Sequence, residues 1–340
     1  MKKVLHVLTS DKYSGAENVV CTIIDSFKFK FNMAYCSPNG EIEKVLAKKD
    51  INYYPIKRNS LCDLKNVIKL YNPDIIHAHD YRASILVAFS GFKGRIISHL
   101  HNNVPDVKKW GVKSFLYSIS CSKFFKVIGV SNQVYDEAVF KEKIKNKYLT
   151  IYNYVNKNDV IERANDNSTI TKYDLFFIGR LTEQKNPFLF IEIVKSLKEN
   201  FPNISAVMIG DGELYDSCFT KIQEYDLTEN IKMVGFCENP FSIIKNCRIG
   251  VMPSKWEGFG LTAIESMILN KPVFNSGAGG LSEIFANNKL FICNNLENYV
   301  EKISNELVKG KKHNFDKLVS QYCDQNKWYN SLDKIYKEGE

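Results

Sequence analysis

Pro253-Ser254-Lys255-Trp256-Glu257-Gly258-Phe259-Gly260-Leu261-Thr262-Ala263-Ile264-Glu265 decides the fold. The apolar run Ile249-Gly250-Val251-Met252 leads into it and reads as a strand buried in a parallel sheet. Gly258 and Gly260 follow, and a helical pattern runs from about Leu261 to Leu269. The segment is therefore a strand, a glycine-rich loop and a helix N-terminus. A loop lacking Cβ atoms lets a ligand approach the backbone. The N–H groups of a helix start, with the dipole behind them, attract phosphate. Two carboxylates, Glu257 and Glu265, beside an anion site are awkward unless they accept hydrogen bonds from neutral hydroxyls.

Working outward, Phe176-Phe177-Ile178-Gly179-Arg180-Leu181-Thr182-Glu183-Gln184-Lys185-Asn186-Pro187 repeats the pattern. A strand ends at Gly179, and Pro187 falls in the first turn of a helix. Arg180 and Lys185 put two cations at the strand's carboxyl end, one able to grip a diphosphate bidentately and one acting as a point charge. Ala206-Val207-Met208-Ile209-Gly210-Asp211-Gly212-Glu213 is strand then turn, Val234-Gly235-Phe236 ends another strand, and Gly277-Ala278-Gly279-Gly280-Leu281-Ser282-Glu283 is a further glycine-rich turn. Strands are expected at 3–9, 33–36, 74–78, 95–100, 126–130 and 148–152, then at 174–179, 205–210, 231–234, 249–253, 272–276 and 290–293, with helices between many of them. Such alternation means α/β architecture with parallel sheets covered on both faces.

The Glu-x7-Glu spacing of Glu257 and Glu265, with the Gly-Arg…Lys segment, resembles family 4 glycosyltransferases. The resemblance covers nearly the whole chain and is most specific over 174–283. It implies the GT-B fold: two Rossmann-like domains whose parallel sheets face a central cleft. The expected division is an acceptor-binding domain at 1–155, a polar linker at 156–172, a nucleotide-sugar domain at 173–313, and a tail at 314–340 whose helix returns to the first domain. The resemblance implies a sugar transfer, retaining and metal-independent, from a nucleotide-diphosphate sugar. Glu257 would hold sugar hydroxyls near the anomeric carbon and Glu265 the ribose. Arg180 and Lys185 would stabilise the departing diphosphate, favouring the transition state over the ground state. The backbone of Phe259, Gly260, Leu261 and Thr262 would receive sugar or phosphate oxygens. Gly212 opens the donor cleft. Phe236 lines the nucleobase or is core, the second being the commoner fate of such a residue.

The first half supplies the acceptor side of the resemblance. Ser14-Gly15-Ala16-Glu17 joins the first strand to the first helix where the family often has two glycines, so Gly15 is the acceptor-phosphate candidate. His77 and His79 share one face of a strand by its period of two, but a metal would need a third ligand, and no metal is expected. His101 matches the family histidine that faces the reacting sugar, with His99 its rival in the same phase. Residues 107–126 are aromatic and basic without an acid, and fit either a helix at a membrane interface or a core helix.

Net charge is +8, yet residues 1–160 carry 25 Lys+Arg against 14 Asp+Glu, leaving the remainder mildly acidic. That asymmetry suits an anionic partner: a membrane surface or a polyprenyl-diphosphate-linked saccharide acceptor. Nucleic acid is disfavoured, because no stacking platform or known motif accompanies the charge. The first strand leads to no Gly-x-Gly-x-x-Gly turn, which argues against an oxidoreductase. Nine cysteines without a Cys-x-x-Cys pair, and no export signal, suggest free thiols in the cytoplasm, with peripheral attachment to the inner membrane face. The competing functions are a sugar-nucleotide epimerase of the same fold and a non-catalytic sugar-nucleotide-binding partner.

Overall fold

The computed structural model describes residues 1–58, 60–166 and 171–338, and the chain forms two compact units. The first holds residues 1–154 with 326–340, and the second 155–325.

The first unit is built on seven parallel strands: β1 (Lys3–Val7), β2 (Asn32–Pro38), β3 (Tyr53–Ile56), β4 (Ile75–His79), β5 (Arg95–Leu100), β6 (Phe124–Gly129) and β7 (Tyr148–Thr150). Their order is β3-β2-β1-β4-β5-β6-β7, so the winding reverses between β1 and β4. β4 is buried at every position, as a strand covered on both faces must be. β3 was not expected from the sequence. Pro55 breaks the usual strand signature, and the structure resolves this by placing β3 at the sheet edge, where a missing N–H costs no ladder bond.

The helix Gln325–Lys337 buries Trp328, Leu332, Ile335 and Tyr336. Tyr329 stacks on Phe27 at 4.2 Å, and Tyr336 meets the same ring edge-on at 5.5 Å. From Asn326 onward this tail belongs to the first unit. Residues 314–325 do not: they lie in the second unit, where Tyr322 accepts from the Val155 N–H at 2.9 Å.

The second unit has five parallel strands: β8 (Tyr173–Ile178), β9 (Ala206–Ile209), β10 (Ile231–Met233), β11 (Cys247–Met252) and β12 (Val273–Asn275). Their order is β10-β9-β8-β11-β12, with the reversal between β8 and β11. Two expectations fail here. The stretch 156–172 is not simply a linker. Asn156 accepts from the N–H groups of Asn158 and Asp159 and so caps a helix, Lys157–Ala164, which buries Val160 and Ala164. Two well-spaced apolar residues and a cap suffice for those two turns; residues 167–170 lie outside the described residues. The strand expected at 290–293 is a 3₁₀ turn, Lys289–Phe291, followed by a single bridge from Ile292 to Asn275.

Candidate functional site

At the reversal point of the second sheet, the loops after β8 and β11 meet. Lys185 Nζ lies 2.5 Å from Glu257 Oε2, both side chains being largely buried. Gln184 ties the loops twice: its side chain donates to the Trp256 carbonyl at 3.1 Å, and its own carbonyl accepts from the Lys255 N–H at 2.8 Å. Ser254 Oγ sits 3.5 Å from the same Glu257 oxygen. Neither Gln184 nor Ser254 stood out in the sequence, because loop-to-loop ties of this kind leave no local pattern. Arg180 is exposed at the end of β8 and makes no ion pair among the described residues. The outer edge of an open α/β sheet at such a reversal is where ligands of this architecture bind.

Glycines make the junction possible. Gly210 has φ +137°, and a Cβ there would come 2.0 Å from the Gly179 carbonyl oxygen. A Cβ on Gly212 would stand 2.4 Å from the Leu181 oxygen, so the turn fits only because both of its flanking residues are glycines. Gly260 has φ +107° and precedes the helix Leu261–Ile268. The first-turn N–H groups of that helix, Leu261 and Thr262 among them, have no intrahelical acceptor. Phe259 is buried and packs edge-on against Tyr322 at 5.4 Å, so it contributes backbone only. Two buried polar atoms in these loops, Thr182 Oγ1 and Trp256 Nε1, lack a hydrogen-bond partner. Buried polar groups are ordinarily satisfied, so these two atoms are candidates for contact with a ligand.

Glu265 is half-buried one helix face away, beside the helix Lys157–Ala164. Burial raises its carboxyl to about 7; the Arg163 guanidinium pulls it down and Asp159 pushes it up. Arg163 also donates to the Glu238 carbonyl at 2.5 Å and lies over the Phe241 ring. Phe236, in the loop after β10, is 70% exposed, so the core reading of that residue is wrong. A loop aromatic at that exposure is available to stack on a planar ligand.

The first unit presents different chemistry at its own reversal point. His6 on β1 is in register with His77 on β4, and His79 with His99 on β5. The rings stack on one face of the sheet, with His101 just beyond β5 at 4.1 Å from His99 between centroids. His101 and His79 are joined at 2.9 Å, and His79 to His6 at 3.0 Å. His99 and His77 are joined at 3.2 Å, and His77 to the Tyr336 hydroxyl at 2.8 Å. Burial holds His6 and His101 down to about 3, and burial with mutual repulsion holds His77, His79 and His99 well below the usual imidazole value. At neutral pH all five are uncharged. His99 is enclosed within the stack, whereas His101 is half-exposed and takes its backbone orientation from Asp80, whose carboxylate accepts the His101 N–H at 2.9 Å. The sequence pointed to paired histidines; that His6 joins them depends on strand order, which no local pattern encodes.

Gly15 is exposed at the start of the helix Gly15–Phe27. The Glu17 carboxylate already accepts there, from Ser14 N at 3.1 Å and Ser14 Oγ at 2.5 Å. An anion arriving at Gly15 would meet that charge.

Residues 107–126 have both a buried side and an exposed apolar one. The helix Val112–Ser120 buries Tyr117 and Ser118, while Trp110, Val112, Phe115 and Ile119 are exposed. Among the described residues no helix is long and apolar enough to cross a membrane.

Comparison with known proteins agrees with this architecture. Residues 38–159 match the family model for Glycosyltransferase Family 4, and residues 159–317 match that for Glycosyl transferases group 1. The chain belongs to the family 4 glycosyltransferases, and its fold is GT-B. An uncharacterized glycosyltransferase of Methanocaldococcus jannaschii is 28% identical over 232 residues, 62% of this chain and 57% of that relative, so this chain spans little more than half of it. The capsular polysaccharide biosynthesis glycosyltransferase CapH of Staphylococcus aureus is 25% identical over 84% of each chain. Among solved structures, Anabaena HepE in complex with UDP and glucose superposes with a TM-score of 0.84 over 99% of both chains at 18% identity, a likeness of fold.

Proposed function

We propose that this glycosyltransferase moves a sugar from a nucleotide-diphosphate donor to a lipid-linked saccharide in cell-surface polysaccharide synthesis, with retention and without a metal ion. The observation that carries the reading is the Lys185–Glu257 pair at the reversal point of the second sheet, flanked by Arg180. Without donor, each partner neutralises the other. A diphosphate entering beside Gly260 draws Lys185 away, and Arg180 joins it as a second cation. Two side-chain cations can balance the charge that grows on a departing diphosphate, the part a metal plays elsewhere. Glu257, released, becomes an acceptor for sugar hydroxyls. Glu265 accepts from the ribose, and Phe236 offers a ring to the base. In the first unit, His101 is the ring assigned to the reacting sugar. A neutral imidazole there can donate or accept a hydrogen bond without adding charge.

The choice of acceptor rests on relatives. One, 23% identical over 92% of this chain, is a Campylobacter jejuni transferase named for a diphospho-undecaprenol acceptor. An anionic lipid surface suits the first unit's positive charge, and the exposed Trp110, Val112, Phe115 and Ile119 beside Lys109 and Lys113 suit peripheral attachment. The test is transfer from a panel of radiolabelled sugar nucleotides, UDP-sugars first, to extracted lipid-linked saccharides in chelator. One donor is expected to label the lipid at full rate. Activity that appears only when magnesium or manganese is restored would remove the metal-free mechanism, and donor hydrolysis or epimerisation without transfer would remove the function.

A further inference from the structure

We propose that His79, His99 and His101 form a binding site for one divalent transition ion of the zinc type, with His6 and His77 packed behind them. The proposal concerns the first unit and shares His101 with the sugar contact proposed above.

Three observations carry it. The first is convergence. One ring nitrogen from each of His79, His99 and His101 lies within 4.8 Å of the others. Nitrogens held about 2.0–2.1 Å from a tetrahedral ion stand roughly 3.3 Å apart. The His79–His101 pair, at 2.9 Å, needs to open only slightly.

The second is hydrogen-bond accounting. His101, His79 and His6 form a chain of three neutral rings, with three N–H groups and three lone pairs. Two hydrogen bonds use two of each. Whichever tautomers are chosen, one N–H and one lone pair are stranded at the chain ends, His101 Nδ1 and His6 Nε2. Both atoms are buried and unpartnered, and so is His99 Nε2, the end of the other chain. Of these, His99 Nε2 belongs to the triplet and can take an ion without breaking any hydrogen bond, whereas buried polar atoms are ordinarily satisfied.

The third is ligand quality. The set is all imidazole, which suits zinc, copper, nickel or cobalt over magnesium or manganese. The Asp80 carboxylate accepts the His101 backbone N–H and fixes that residue at the end of the stack. Of the two triplets the stack offers, His6-His77-His79 is wholly enclosed, and His77 is already held by Tyr336. His79-His99-His101 has the half-exposed member, and so the entry path. An ion there would occupy His101 and withdraw it from any sugar.

The experiment is titration of the chelator-stripped full-length protein with Co²⁺, then displacement by Zn²⁺. We expect one equivalent of cobalt, the strong visible absorption of a four-coordinate nitrogen site, and its loss on adding zinc. H79Q and H101Q should weaken binding at least ~100-fold, and H6Q, outside the triplet, by no more than a few-fold. If the variants fail to fold, ¹⁵N spectra of the wild-type imidazoles decide, because metallated nitrogens shift on adding zinc. Absence of uptake, binding undiminished in H101Q, or a near-ultraviolet thiolate band placing cobalt on a cysteine would each overturn the proposal.

Discussion

The two units wind their sheets alike and spend the reversal point differently. In the second, glycines let the strand-end loops pack closely, and it carries fixed charges: Gly210 sits against the Gly179 carbonyl and Gly260 against Leu281, beside Arg180 and the Lys185–Glu257 pair. In the first, it is filled with five neutral imidazoles, stacked and almost wholly enclosed. A parallel sheet supplies a place for chemistry at its reversal, and the side chains decide whether that place admits an anion or stores proton and metal ligands.

The largest expected contrast is with pH. The five histidines hold folded values below their unfolded value of about 6.5. The unfolded chain therefore takes up their protons first. Their contribution to stability is complete above about 6.5 and is lost as pH falls through it, by up to ~1.4 kcal/mol per ring per pH unit. Glu265 has the opposite sign, since its folded value, about 7, lies above the unfolded one. Its folded form keeps the proton, so stability declines as pH rises from about 4.5 through 7. Hydrogen exchange between pH 7 and 5 should show the first unit opening and the second holding. Equal loss in both would break the contrast.

The cations come next. Arg180→Ala should lower turnover by about 10²–10³-fold and leave melting nearly unchanged, because the side chain is exposed. Lys185→Ala should lower turnover comparably and also destabilise the second unit by a few kcal/mol, leaving Glu257 buried and unpaired. Matching effects on stability in the two variants would remove the distinction between a free and a paired cation. Gly210→Ala should then cost the second unit at least ~2 kcal/mol by urea denaturation, from its positive φ and the clash with Gly179. A neutral result would mean that the turn relaxes. The smallest effect is expected at the surface. Phe115→Ser with Trp110→Ser should weaken sedimentation with anionic vesicles several-fold and leave soluble-donor binding intact. Unchanged vesicle binding would place attachment elsewhere.

Much of this was legible in the chain. Runs such as Ile75-Ile76-His77-Ala78 and Phe176-Phe177-Ile178 are apolar enough to be strands in any context, and the glycine turns after them mark strand ends. The tail's helix was signalled by Trp328, Leu332, Ile335 and Tyr336 at helical spacing, and its return only by the family resemblance. Three things were hidden for physical reasons. β3 carries a proline tolerated only at an edge, and edges are a property of the assembled sheet. The helix after Asn156 is held by a side-chain cap and by packing on the helices Phe241–Lys245 and Leu261–Ile268, distant in sequence. The histidine stack needs β1 beside β4, and chain order does not say which strands become neighbours.

The central claim is that the open reversal point of the second unit, rather than the filled one of the first, receives the donor diphosphate. Hydrogen exchange with and without a saturating nucleoside diphosphate tests it most directly. The account predicts protection in residues 179–186 and 253–265, abolished in Arg180→Ala with Lys185→Ala. Saturable binding that leaves 253–265 unprotected would contradict it.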